Sequence, residues 1–247
     1  MIMIKKILHS SILKAIIASV AIIVATLAIA MIFGGHNPDS KISRTSMPWE
    51  IEPVAGGGSR IFGLTLGQST LGDAIDQLGE SLQVAIITPL NTTAESPENG
   101  SPPSALEAYM DPMRTQFLSG RLIISIQVSP EDLRTWRERS VQHHKSDTGA
   151  HLDTLSRDDL LNARRAMITG LTYIPGAKID ESIIQARFGN DGSKHQINPD
   201  LTEWYFPSKG LAISLNSKGR DLLQYVAPKD FDVRLGAQSL PLKQPSR

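Results

Sequence analysis

The sequence predicts an α+β protein in which an N-terminal transmembrane helix is followed by two small helix-plus-antiparallel-sheet units. Three features carry this prediction: one long apolar run near the start, two capped helices that end in glycine, and strand-like segments joined by short turns. Consecutive strands with short turns pair in antiparallel fashion, because parallel neighbours need a long crossover. Each unit is therefore expected to belong to the α+β class.

The apolar run, Ala15–Phe33, contains nineteen residues without a charge, a glycine or a proline. A helix of this length, at about 1.5 Å per residue, covers a hydrocarbon core of roughly 30 Å. Three lysines and no acidic residue precede it. The positive-inside tendency therefore predicts a single-pass signal anchor in a bacterial inner membrane, with residues 1–14 in the cytoplasm and the remaining domain in the periplasm. The lipid bilayer is the first predicted partner.

A cleaved signal peptide is the alternative interpretation of the same segment. Ala28-Ile29-Ala30 has the small-x-small pattern of a cleavage site after a basic start. The apolar stretch continues for three residues beyond that site. Counted from Ser11, it also exceeds the usual signal-peptide core of about 7 to 15 residues. These two observations favour a retained anchor.

The composition excludes several kinds of chemistry. The chain contains no cysteine, which removes disulfides, thiol nucleophiles, thiolate metal sites and a lipid-modified cysteine. Basic and acidic residues number 25 each, and without the three N-terminal lysines 22 basic residues stand against 25 acidic ones. This balance disfavours nucleic acid as a partner, since phosphate binding needs concentrated Lys and Arg.

Residues 34–60 are rich in Gly, Pro and Ser and are predicted to form a flexible linker. The glycines at 56–58 lack the Lys-Ser/Thr ending of a phosphate-binding loop. Fifteen residues separate Trp49 from the predicted span. Trp49 is therefore expected to dock onto the folded domain rather than to lie at the membrane interface.

The first unit is predicted over 61–141. Ser69 or Thr70 can cap a helix whose apolar residues recur at spacings of four and three, and Gly79 closes this helix. A second helix is predicted over Pro130–Val141, where a cap serine, a proline and acidic residues begin it. The β-branched and apolar segments between the two helices are predicted strands: Leu82–Thr88, Ala105–Met110 and Gln116–Val128.

Residues 142–170 are predicted to be a connector that ends in a capped helix over Arg157–Met167. The second unit is predicted over 171–235, with Asp180 as the cap of a helix that Gly189 closes, and 236–247 as a tail. Short turns join the predicted strands of this unit, which are Thr202–Phe206, Leu211–Leu215 and Leu222–Val226.

The phrase G-L-T-L-G-x-S-T-L-x-D at Gly63–Asp73, followed by a Leu-Gly helix end, resembles the opening of the small SmpA/OmlA-like envelope lipoproteins. The resemblance covers 61–80 and, more loosely, 172–228. It implies two helices packed against a three-stranded antiparallel sheet. This chain differs by its predicted anchor, since that family carries a lipidated cysteine. The whole chain also resembles uncharacterised single-pass envelope proteins of proteobacteria, a likeness that implies no activity.

The sequence presents no catalytic, cofactor-binding or metal-ligating set. His143 and His144 are adjacent, and neighbours on a helix point about 100° apart, so the pair cannot face one metal. Glu131-Asp132 and Asp158-Asp159 fall in predicted first helical turns, where capping and the helix dipole account for acidic residues. No enzyme and no cofactor is therefore predicted.

Three aromatic residues, Trp204, Tyr205 and Phe206, are the candidate partner-binding residues. In a strand, Trp204 and Phe206 share one face and Tyr205 takes the other, so core packing and an exposed anchor are both open. The anchor, the linker and the missing catalytic set lead to the prediction of a non-catalytic interaction or scaffold protein of the cell envelope. The alternative is a sensor or carrier that binds a small molecule in a cleft between the two units.

Overall fold

The computed structural model describes residues 47–79, 81–88, 104–115, 118–145 and 150–236. All of them belong to one compact unit. A small antiparallel sheet comes first, in the order β1-β2-β3. Ten further strands form one antiparallel sheet in the order β10-β11-β12-β13-β9-β6-β5-β4-β8-β7.

The strands of the small sheet are β1 (Glu52–Val54), β2 (Gly58–Ile61) and β3 (Leu64–Thr65). Those of the large sheet are β4 (Gln83–Thr88), β5 (Ala105–Arg114), β6 (Ser119–Ile126), β7 (Gln142–Lys145), β8 (His151–Thr154), β9 (Ile168–Pro175), β10 (Ser193–Asn198), β11 (Leu201–Phe206), β12 (Leu211–Asn216) and β13 (Leu222–Val226). The α-helices of the described ranges are α1 (Leu71–Leu78), α2 (Pro130–Glu138), α3 (Arg157–Ala163), α4 (Glu181–Phe188) and α5 (Phe231–Arg234).

The predicted division into two helix-plus-sheet units is wrong, because a single sheet runs through both. Strand β9 pairs with β6 on one side and with β13 on the other, and so joins the two halves of the chain. Leu171 and Tyr173 of this strand lie in a hydrophobic core that extends from Ile61 to Ala227. The sequence boundary at residue 171 cuts through the strand that holds the sheet together.

Within the described ranges, no helix is long and apolar enough to cross a membrane. The predicted span at 15–33 lies outside those ranges.

The helices and the sheet form two layers. Buried residues of α1, α2, α3 and α4 join the same core as one face of the large sheet. The opposite face is covered at one end by α5, where Phe231 and Leu235 pack with Tyr205, Ala212 and Val226. Farther along this face, Ile123, Thr172 and Gln224 are only half-buried. The sheet therefore has one fully packed face and one partly open face.

The predicted helix caps of α1 and α4 are confirmed. The Thr70 side chain accepts a hydrogen bond from the Asp73 amide, and the Asp73 carboxylate accepts one from the Thr70 amide at 2.7 Å. The Asp180 carboxylate likewise accepts a hydrogen bond from the Ile183 amide at 3.1 Å. Both helices end at a glycine with positive φ, 81° at Gly79 and 94° at Gly189, a conformation in which a side chain is strained.

Part of the stretch predicted to be a linker forms strands β1 and β2. Trp49 packs against the core, as predicted, and the Arg187 guanidinium lies 4.8 Å from the centre of its ring. The Pro48 carbonyl accepts a hydrogen bond of 2.7 Å from the Tyr225 hydroxyl. The chain is therefore fastened to the domain from residue 48 onward. The predicted connector also forms strands, β7 and β8.

Candidate functional site

The outer strand β10 is the longer of the two edges of the large sheet. It has six residues, all of them exposed, and within the described ranges it pairs with β11 alone. Ile197 exposes 47% of its surface. An edge strand presents a row of backbone N–H and C=O groups to any extended chain that lies beside it. The strand therefore offers an open template for pairing.

Side-chain contacts of Lys194 and His195 hold β10 against the rest of the domain. The Lys194 ammonium lies 2.6 Å from the Glu181 carboxylate of α4 and 5.8 Å from the centre of the Trp204 ring. The His195 ring packs against Tyr205, with 5.1 Å between the ring centres. Exposed lysines on edge strands usually discourage pairing, but this charge is already engaged by Glu181 on the helical face. A register shift between Gln196 and Asn198 limits the regular ladder to the first part of the strand.

The opposite edge, β7, brings together a serine, a histidine and an aspartate. His143 Nδ1 lies 2.6 Å from Oδ1 of Asp153, the residue directly opposite on β8. Ser140 Oγ lies 3.3 Å from Nδ1 and 3.4 Å from Nε2 of the same ring. A catalytic serine faces Nε2 while the carboxylate holds Nδ1, so a hydroxyl nearly equidistant from both nitrogens is not in line for proton transfer. We interpret the group as a cross-strand pair that fixes a short edge strand.

The two adjacent histidines of this edge lie on a strand, whereas the sequence predicts a connector at these residues. His143 and His144 therefore point to opposite faces of the sheet, and His144 contacts the Gln142 side chain at 3.3 Å. In the described part of the chain, no three His, Cys, Asp or Glu side chains are grouped so that they can hold a metal ion.

The three aromatic candidates of β11 are all buried, with Trp204 6%, Tyr205 4% and Phe206 0% exposed. Trp204 and Phe206 lie on the helical face, where their rings are nearly parallel at a separation of 6.5 Å. Tyr205 lies on the other face and meets Phe231 edge-on at 6.1 Å. The three rings alternate between the two faces of the sheet, as predicted, but all of them are buried and contribute to packing. The strand that lies exposed beside them is β10.

A cleft of about 480 Å³ lies between α2 and the end of α3. Six of its lining residues carry the groups that matter for binding: Gln127, Thr135, Trp136, Arg139, Asn162 and Arg165. Arg139 Nη2 lies 2.5 Å from the carboxylate of Asp159, a side chain that is 2% exposed. The Ser156 hydroxyl donates to the other oxygen of Asp159 at 2.6 Å. Sequence reasoning assigned Asp159 to capping alone and missed its ion pair, because Arg139, at the end of α2, is 20 residues away in the sequence.

One carboxyl group on the partly open face of the sheet, that of Glu107, takes part in no ion pair among the described residues. Glu107 lies on β5 with Ala85 and Ser125 directly opposite it on the neighbouring strands. Partial burial raises the pKa of Glu107 above its ordinary value of 4.5. No ion pair to Glu107 occurs among the described residues.

No protein-family model, curated protein or solved structure matches this chain. The resemblance to the SmpA/OmlA-like lipoproteins therefore stays a prediction from the residues that carry it.

Proposed function

We propose that this protein is a membrane-anchored, non-catalytic interaction protein of the bacterial cell envelope that binds a partner protein by strand addition at β10. The observation that carries the proposal is the β10 edge, where six successive exposed residues border one side of a ten-stranded sheet. Strand addition is a recurrent mode of recognition in which backbone hydrogen bonds supply affinity and alternate side chains supply specificity.

The dimensions and the fixation of β10 suit this role. Six residues span about 20 Å at roughly 3.4 Å per residue, enough for a short partner strand. The Lys194–Glu181 ion pair and the His195–Tyr205 ring contact already order the strand, so binding requires little further loss of conformational entropy. Exposed Ile197 gives a partner strand one apolar side chain to cover.

The proposed location rests on the sequence. The apolar residues 15–33 act as the signal anchor, and the lysines before them favour a cytoplasmic N-terminus and a periplasmic domain. The domain then meets its partners at the outer surface of the inner membrane, and diffusion of the anchored protein is restricted to that plane.

Photo-crosslinking along β10 tests the proposal. A benzophenone amino acid is placed at each of residues 193–198 in turn in the full-length protein, and cells are irradiated before membranes are collected. A paired strand lies beside the regular part of β10, so a discrete adduct with the same partner is expected from positions 193–196, on both faces of the strand. A partner that docks on one face of the sheet would be captured only from alternate positions. Val233 on α5, which is 82% exposed, is the control position.

Proline at His195 or Gln196 provides the matched variants. Neighbouring amides of an edge strand point to opposite sides, so one substitution removes an outward N–H and the other removes an N–H bonded to β11. We expect the variant with the smaller loss of melting temperature to lose the adduct. Strand addition at β10 would be refuted by adducts at alternate positions only, by adducts at Val233 to the same extent, or by the absence of adducts at every position.

A further inference from the structure

The cleft between α2 and α3 contains more hydrogen-bond donors than the domain itself uses. Gln127 and Asn162 carry side-chain amides that have no hydrogen bond to another described residue, and both line the cleft. Arg165 lies beside them, and no ion pair joins it to an acidic residue within the described ranges. Trp136 also lines the cleft, with 7% of its surface exposed. The cleft therefore combines several polar donors with one aromatic ring.

Arg139 is the oriented cation of this cleft. Its Nη2 group donates to the buried Asp159 carboxylate, yet 57% of the Arg139 side chain stays exposed. A guanidinium has five N–H donors in a planar fork, so the groups that Asp159 does not use are available to a second acceptor. The ion pair compensates the charge of Asp159, which leaves Arg165 as the uncompensated positive charge of the cleft.

Among the lining residues, the one acidic side chain lies at the N-terminus of α2. Asp132 lies in the first turn of α2, where its carboxylate accepts a hydrogen bond of 2.7 Å from the Ser129 hydroxyl. It lies seven residues before Arg139, about 10 Å along the helix axis at 1.5 Å per residue. Asp132 is therefore separated from Arg139 along the helix.

We infer that this cleft binds a small molecule bearing a carboxylate or a phosphate group, a function separate from strand addition at β10. The oxyanion is placed between Arg165 and the free edge of Arg139, and the apolar part of the molecule lies on Trp136. Arginine forks match both carboxylate and phosphate oxygens. The volume of about 480 Å³ falls in the range of about 300 to 1,000 Å³ that is common for small-molecule sites.

Fluorine NMR on the full-length protein in detergent tests this inference. The chain has three tryptophans, Trp49, Trp136 and Trp204, so labelling with 5-fluorotryptophan gives one reporter in the cleft and two outside it. The signal of Trp136 is assigned by its loss in Trp136→Phe. Inorganic phosphate and succinate are titrated separately, with sodium chloride at the same ionic strength as the control.

We expect the Trp136 signal alone to shift, saturably, with phosphate or with succinate and not with chloride; the tighter of the two anions identifies the class of ligand. Arg165→Gln is expected to weaken this binding about tenfold, the size of a lost charge-assisted hydrogen bond. Arg134→Gln, an exposed arginine of α2 outside the cleft, is expected to bind as the wild type does. Any of three results would overturn the inference. These are anion binding that is unchanged in Arg165→Gln, equal shifts of all three tryptophan signals, and no shift with either anion. Crosslinking from β10 is unaffected by any of these outcomes.

Discussion

Two tyrosines of the core, Tyr173 and Tyr225, differ in whether their hydroxyl groups have a partner. Both are 1% exposed. The Tyr225 hydroxyl donates to the Pro48 carbonyl, whereas the buried Tyr173 hydroxyl has no hydrogen bond to another described residue. Burial also raises the pKa of Tyr173 to about 12, so its hydroxyl keeps its proton throughout the physiological range.

Replacing each tyrosine by phenylalanine is expected to change the free energy of unfolding differently at the two positions. Tyr173→Phe removes an unsatisfied donor and should leave the free energy of unfolding unchanged or raise it by up to about 1 kcal/mol. Tyr225→Phe leaves the Pro48 carbonyl unpaired and should lower it by about 1 to 3 kcal/mol. Urea unfolding of both variants measures the difference. Equal destabilisation would show that the Tyr173 hydroxyl has a partner in solution.

Glu107 makes the stability of the domain depend on pH. Its pKa is raised in the folded protein, so folding favours the protonated carboxyl group. The contribution of this group to the free energy of unfolding is fully present below pH 4.5. The contribution is lost as pH rises through the raised pKa. Glu107→Gln carries no titratable group at this position, and its stability gain over the wild type should therefore be larger near pH 7 than near pH 4. Urea unfolding at both pH values measures this gain, and a gain that is the same at both would contradict the burial of the carboxyl group.

At the scale of elements, the sequence predicts best where one face of an element is buried. Capping chemistry located α1 and α4, and the strand Leu222–Val226 was predicted with the bounds that the structure gives. Strand β10 was missed because all six of its residues are exposed, which leaves no alternation of apolar and polar residues to detect. Hydrophobic periodicity therefore cannot identify a strand such as β10.

The central strand β9 was missed for a different reason. Its residues Thr169 and Gly170 interrupt the apolar pattern, and Pro175 ends it. The predicted boundary thus leaves residues 168–170 of this strand in the connector and residues 171–175 in the second unit. The Arg139–Asp159 pair lay beyond sequence reasoning as well, because its partners are 20 residues apart on separate helices. Long-range pairing and side-chain contacts between elements leave no local signature.

At the scale of the whole molecule, the continuous sheet predicts that the domain unfolds in one step. Trp136 reports on the first half of the chain and Trp204 on the second, so variants of the full chain that keep one of these tryptophans follow each half separately. The two fluorescence transitions in urea should have the same midpoint. Two separate midpoints would show that the halves unfold independently.

Gly120 of β6 provides the matched perturbation at the junction of the two halves. A Cβ atom added there would lie 2.5 Å from the Ile174 carbonyl oxygen and 2.7 Å from the Tyr173 ring, both in β9. Gly120→Ala is therefore expected to shift both midpoints by the same amount. A shift confined to the Trp136 transition would count against a single cooperative domain.

The point where residue 48 joins the domain also determines how the protein carries mechanical load. Pro48 is bonded to Tyr225 of β13, and Trp49 is held by Arg187 of α4, so the proximal end of the domain is fastened to its C-terminal half. A partner strand that pulls on β10 loads β10, β11, β12 and β13 in series, which are consecutive in the sheet. Under the proposed function, tension between the anchor and a partner bound at β10 would follow this short path. Strands β4, β5, β7 and β8 are not part of this series of strands.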